Sequence, residues 1–200
     1  MPSVSDPSEA AEFHRKPKAR RNLVSVGIGF AIAIALIAVI SALTGSSTTN
    51  TKAPTSILVG HHLHGFSLDG LSGGTVRAPW EGGRPSVEIF FASYCGPCRV
   101  EMPKIAKYLR THNLGPVAIL AIDVTDQRSA AKAMVEKDGF TFPVAFDPNG
   151  VVTSGVFGFS YVPESVFVSA QGVVTGVYYG AIPKRQLASS IKSLNSASAS

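Results

Sequence analysis

Cys95-Gly96-Pro97-Cys98 is the segment of this chain with the residue types and spacing for chemistry. These are its only two cysteines, and two residues separate them. A strand-like run, Val87-Glu88-Ile89-Phe90-Phe91-Ala92, leads into the pair, and a helix-like run from Arg99 to Thr111 follows it. The first turn of a helix carries about half a positive charge, which favours a thiolate placed there. The thiolate, not the thiol, attacks disulfides. The spacing therefore predicts a redox dithiol, with Cys95 at an exposed helix cap as nucleophile and Cys98 as the resolving thiol. A structural staple is a poor alternative, because a cross-link over so short a loop restricts the unfolded chain very little. Zinc is a further alternative. It takes four ligands, of which this pair supplies two, and His61, His62 and His64 are the candidates to complete such a site.

The pair needs a frame, and the pattern around it supplies one. Cys98, Met102, Ile105 and Leu109 recur at helical spacing and form one inward stripe, with Pro103 expected to kink the helix. Ser86 to Ala92 and Val117 to Asp123 read as buried strands. Arg128 to Lys137 reads as a helix stopped by Gly139, and Phe142 to Phe146 as an apolar segment ended by the turn Asp147-Pro148-Asn149-Gly150. Phe66–Leu68 and Thr75–Arg77 suggest a short N-terminal hairpin. Ser165–Val168 and Val173–Tyr179 flank a Gln171-Gly172 turn and suggest a second one. Leu187, Ile191 and Leu194 mark a last helix from Lys184 to Leu194. The order of elements predicts an α/β sandwich with a mixed central sheet. Trp80 is expected to pack on the first hairpin and His112 to cap its helix.

Outside this region the composition changes. Residues 23–43 are apolar and uncharged. A helix of about 20 residues covers roughly 30 Å, the thickness of a bilayer core. Arg15, Lys16, Lys18, Arg20 and Arg21 precede the span, and no basic residue follows until Lys52. That asymmetry predicts a single-pass anchor in the lipid bilayer, with residues 1–22 as a cytoplasmic tail and the domain outside. A cleaved signal peptide fits less well, because the charged region is long, the apolar core exceeds a usual signal sequence and no clean cleavage motif follows. Residues 44–56 read as a flexible linker, 57–195 as the folded domain and 196–200 as a disordered tail. The net charge is +5, with no basic run interleaved with aromatics, so no nucleic-acid partner is expected.

Four segments in order carry a resemblance to a known family. They are Phe90 to Pro103 around the cysteines, Gly139–Val144 through Asp147–Gly150, Tyr161-Val162-Pro163-Glu164-Ser165, and Gly172-Val173-Val174 with Gly180. Over about Phe66 to Leu194 the chain resembles the thioredoxin superfamily, and within it the membrane-anchored TlpA/ResA/DsbE-like branch. The chain departs from that pattern at Phe91 and Tyr94, where the family usually has Trp. It departs again at Ile89, where thioredoxins proper carry a buried Asp. Glu88, one residue earlier, points to the other face of the strand and is read as lying on an exposed strand edge.

The resemblance implies a thiol–disulfide oxidoreductase with no cofactor beyond its redox-active disulfide. It implies that Pro163 is a cis-proline opposite the dithiol and that Val162 offers its backbone to an extended client chain. Tyr94 would border that site. Glu101, one turn after Cys98, would tune the second thiol or move its proton; it reads equally as a solvated first-turn glutamate. The implied partners are client proteins with disulfides or paired cysteines, apocytochrome c among them, and a membrane dithiol donor of the DsbD/CcdA kind. The Gly96-Pro97 pair favours reduction of clients. Disulfide formation in secreted proteins and stoichiometric metal carriage are the rival readings.

Overall fold

A computed structural model describes residues 56–159 and 161–198. The expected N-terminal tail, the membrane span and linker residues 44–55 lie outside the described residues. Among the described residues, no helix is long and apolar enough to cross a membrane.

The elements in chain order are β1 (Ser67–Gly70), β2 (Thr75–Arg77), a 3-10 turn (Pro79–Gly82), β3 (Ser86–Phe91), α1 (Gly96–Thr111), β4 (Ala118–Val124) and α2 (Arg128–Asp138). Then come β5 (Val144–Asp147), α3 (Val151–Gly155), β6 (Glu164–Val168), β7 (Val174–Tyr179) and α4 (Lys184–Ser198). All strands join one sheet in the order β2-β1-β5-β4-β3-β6-β7. β3, β4 and β5 run parallel, while β6 is antiparallel to β3 and β1 antiparallel to β5. This is the thioredoxin-like α/β arrangement with a mixed sheet.

Every residue of β3 is buried, because β4 and β6 flank it and both faces are covered. Val87, Ile89 and Phe91 face one cluster with Cys98, Met102, Ile105 and Leu109 of α1 and Leu187, Ile191 and Leu194 of α4. Phe90 faces the other way, with Leu120, Ile122, Val166 and Val168, against Phe66, Trp80, Phe157 and Phe159. The Phe90 ring meets Phe157 at 4.8 Å and Phe159 at 4.6 Å between centroids, both edge-to-face. Each such side chain contributes about 1.5–3 kcal/mol by leaving water. The site is thus carried by a strand buried on both faces.

Several expectations are corrected. Glu88 is fully buried in a central strand, not at an exposed edge. The first helix begins at Gly96 rather than Arg99, because Pro97 in the first turn lacks an N–H that would have found no partner there. It continues through Pro103 to Thr111 as one helix, with His112 at its C-cap as expected. The last helix runs to Ser198, so residues 196–198 are helical rather than tail. Ser196 and Ser198 hydroxyls donate to the Lys192 and Leu194 carbonyls, and the Asn195 amide donates to Leu114 O. Trp80 does pack on the first hairpin as expected, 5.6 Å from Phe66 in the cluster that Leu68 and Val76 join, and it lies 6.3 Å from Phe157. Helix α3 was not foreseen.

Candidate active site

β3 ends at Phe91, the chain turns through Ala92-Ser93-Tyr94, and Cys95 caps α1. The Cys95 amide donates to Ala92 O (3.2 Å), and the Cys95 carbonyl accepts from Arg99 N (3.1 Å). Cys95 Sγ itself accepts the Cys98 amide at 3.1 Å. The helix N-terminus is therefore aimed at this sulfur, where its unpaired amides stabilise negative charge. Cys95 and Cys98 are joined by a disulfide with 5.2 Å between Cα atoms. Cys98 is fully buried in the stripe foreseen for it. Cys95 stands at the cap but is only 7% exposed, because Ala92, Phe91 and Val162 pack around it in the same cluster. The exposed cap expected from sequence is thus a shallow one.

The turn before Cys95 is tied to the loop after β4. Ser93 donates twice to Asp126, from its amide to Oδ2 (2.5 Å) and from its hydroxyl to Oδ1 (2.9 Å). The Tyr94 hydroxyl lies 2.9 Å from Thr125 Oγ1, and its ring is exposed. Tyr94, one of the two positions where the family usually has Trp, thus stands mostly in solvent. Phe91 does pack, fully buried and 5.7 Å from Phe140. Thr125 takes a left-handed φ of 49°, the only non-glycine to do so among the described residues.

Glu101 is buried on α1, one turn beyond Cys98. Its Oε1 accepts the Ile182 amide, while Oε2 is buried without a partner. Burial raises its carboxyl to about 7, and the Ile182 hydrogen bond and Lys104 oppose the rise. The reading of Glu101 as a solvated first-turn residue is thereby corrected. Pro97, Val100, Glu101, Lys104 and Ile182 line a cavity of about 570 Å³ beside the dithiol.

The Val162–Pro163 peptide is cis. Val162 packs against the cluster that holds both cysteines, and Pro163 O accepts the Gly180 amide at 2.9 Å. His61, His62 and His64 are exposed. Among the described residues, no three His, Cys, Asp or Glu side chains converge where they could hold a metal ion.

Sequence reasoning missed two further buried carboxyls, Asp123 and Glu164, and misplaced a third, Glu88, at an exposed edge. Asp123 lies one residue before the end of β4 on the cysteine-facing side, beside Phe91. Glu88 and Glu164 lie diagonally on adjacent strands of the opposite face, since Glu88 pairs with Val166 and Phe90 with Glu164. All three are fully buried, and none of their carboxylate oxygens finds a donor. Burial pushes each up to about 8. The available signal was an acidic residue inside or bounding an apolar run, as in Val-Glu-Ile, Ile-Asp-Val and Pro-Glu-Ser-Val.

Residues 59–177 match the model of the AhpC/TSA family. The chain belongs to that family. Among curated relatives, the thioredoxin-like protein YneN of Bacillus subtilis is 26% identical over 142 residues, covering 70% of this chain and 82% of that one. The thiol-disulfide oxidoreductase ResA of Halalkalibacterium halodurans is 24% identical over 160 residues, covering 79% and 90%. Among solved structures, MTB DsbF superposes with a TM-score of 0.58 at 28% identity, covering 64% of this chain and 94% of that one. Family, fold and cysteine pair make the chain a thioredoxin-like thiol–disulfide oxidoreductase of the ResA/DsbE type.

Proposed function

We propose that this protein reduces disulfides of client proteins on the outer side of a bacterial cytoplasmic membrane, with Cys95 as nucleophile and Cys98 as resolving thiol. The observation that carries the reading is Cys95 Sγ at the N-cap, accepting the Cys98 amide. In the reduced protein the Cys95 thiolate attacks a client S–S bond. A mixed disulfide forms and one client thiolate leaves. Cys98 then attacks Cys95 Sγ, the second client thiolate leaves, and the Cys95–Cys98 disulfide closes. Two electrons pass to the client, and its thiolates take up the two protons that the enzyme's thiols release.

Glu101 supports the second step. Its buried carboxyl, raised to about 7, can take the Cys98 proton within the physiological range. Val162 and Pro163 would present backbone to an extended client chain, and Tyr94 would border it. The disulfide is the only redox group this chemistry needs. The uncharged span at residues 23–43, with basic residues before it, supports anchoring in the lipid bilayer with the domain outside. Two cysteines hold one electron pair, so a membrane dithiol donor of the DsbD/CcdA kind is required to reload them. Clients are proteins with paired cysteines, apocytochrome c before haem attachment among them.

The reduction potential of the Cys95–Cys98 pair in the full chain, held in detergent, tests the direction. A value near about −270 mV supports a reductant, and one near about −120 mV supports an oxidant.

A further inference from the structure

The sheet has a notch at the end away from the dithiol. β4 pairs with β3 from Ala118 onward, but with β5 only from Ala121, which lies beside Val144. Ala118, Ile119 and Leu120 therefore have a strand on one side only. In a parallel ladder, successive residues turn their N–H and C=O to alternate sides. Ala118 N donates to Pro85 O on the β3 side (2.8 Å), and Ala121 N donates to Pro143 O on the β5 side (3.1 Å). Ile119 thus turns its N–H and C=O into the notch, and no hydrogen bond from another described residue reaches them there. Pro143 would be next in line for Ile119 O, but it has no N–H to give, and the chain bends at Phe142.

A cavity of about 480 Å³ opens at this edge. Leu109, Ile119, Leu120 and Phe142 line its apolar part, and Arg77 and Arg84 border it with no acidic residue in the lining. Both arginines are exposed. Arg84 Nε donates to Pro116 O at 3.4 Å, and the one ion pair among the described residues is Arg128 with Asp69. The notch thus combines a strand edge with a free donor and acceptor, an apolar floor and two cations without an acid. A small anion would meet the arginines alone, and an apolar molecule the floor alone. An extended peptide meets all three: its backbone pairs with the edge, alternate side chains enter the floor, and carboxylates reach the arginines.

We propose that this notch docks an extended acidic segment of a partner protein, which adds beside β4 as a short strand. An N–H of the segment donates to Ile119 O, and one of its carbonyls accepts the Ile119 N–H. Its carboxylates lie against Arg77 and Arg84. The site is separate from the dithiol. β3 and β4 run side by side from the notch, where Ser86 meets Ala118, to the active-site end, where Phe91 meets Asp123. At about 3.3 Å per residue, roughly 16 Å of strand lies between the two ends. A partner held here leaves Cys95 and the Val162–Pro163 face open to clients, so docking and thiol exchange can occur together.

The test is an amide NMR titration of the full chain, held in neutral detergent, with the peptide Asp-Val-Thr-Val-Asp blocked at both ends. The Ile119 amide is expected to move downfield and to exchange its proton more slowly, as a new hydrogen bond requires. The same peptide methylated on its three central backbone nitrogens keeps its charge but loses those donors. It should bind about three- to tenfold more weakly, the scale of one backbone hydrogen bond. Lys-Val-Thr-Val-Lys should leave Ile119 unmoved. Arg77→Glu combined with Arg84→Glu should weaken the acidic peptide by about tenfold or more and admit the lysine peptide instead. Both positions are exposed, so the double variant keeps the fold. An Ile119 amide unmoved by the acidic peptide at millimolar concentration overturns the proposal. So does equal binding of the methylated or the lysine peptide, or a response confined to the amides of Tyr161 and Val162 on the client face. Nanodiscs with and without phosphatidylglycerol provide the other arm. Arginine shifts caused by the anionic lipid, with no Ile119 response to the peptide, overturn the proposal in favour of a lipid surface. Insulin reduction by the double variant should match wild type, and its loss would refute a site separate from the dithiol.

Discussion

Glu101 Oε1 accepts the backbone amide of Ile182, linking the helix that carries the dithiol to the loop before the last helix, 81 residues further on. One carboxylate oxygen is thus fixed and the other is left bare. The fixed oxygen orients the group, and the bare one is available to a proton.

Glu101→Gln is expected to remove an inflection near pH 7 from the rate of client reduction. It should also lower the pKa of Cys98 in the reduced protein, since a nearby carboxylate raises it. The loss in rate at pH 7 is about 10-fold to 100-fold, the lower part of the range for general acid–base catalysis. Stopped-flow reduction of a model disulfide across pH, with thiol titration of both proteins, checks this. An unchanged profile would remove Glu101 from the reaction.

Cys95→Ser should abolish insulin reduction. Cys98→Ala should retain attack but stall at the mixed disulfide, since no thiol remains to resolve it. Non-reducing electrophoresis and mass spectrometry of purified Cys98→Ala protein should find clients linked through Cys95, enriched in paired cysteines. Trapping by Cys95→Ala and not by Cys98→Ala would reverse the two roles.

Folding stability should fall as pH rises from about 4.5 to 8. Glu88 keeps its proton in the folded state up to about 8, whereas in the unfolded chain it ionises near 4.5. The folded state therefore binds more protons across that window. Its stability is fully present below the unfolded pKa and is lost at about 1.4 kcal/mol per pH unit for each such group. Glu88→Gln should narrow the difference in unfolding free energy between pH 5 and pH 8 by about 2–4 kcal/mol. Urea titrations at the two pH values measure this, and parallel slopes for both proteins would refute it.

Alkaline phosphatase fused after Ser56 should be active, because its disulfides form only in an oxidising compartment. Fusions before Leu23 should be inactive. The reverse pattern would overturn the proposed orientation.

The helix stripe of Cys98, Met102, Ile105 and Leu109 was legible because period and burial agree over three turns. The Cys95 cap was legible because a cysteine before Gly-Pro at a strand–helix junction has few other uses. Three things were not legible. Five residues, Val151–Gly155, are too few to display a helical period. The partner of β1 on its second edge, β5, is set by contacts between distant parts of the chain. The burial of Glu88, Asp123 and Glu164 depends on which strands flank theirs, which no local pattern encodes. A lone acid in an apolar run reads as an edge until its neighbours are known.

Both cysteines belong to the cluster that also seats Leu187, Ile191 and Leu194 of the final helix. Making or breaking the sulfur bond is therefore an event inside the main core. By a closed thermodynamic cycle, the stability gap between oxidised and reduced folds equals the gap between the pair's potential in the protein and in the unfolded chain. Electron affinity here is in part a folding quantity. A side chain such as Leu187, on α4, sets the voltage at which Cys95 works whenever it packs better against one redox form than the other.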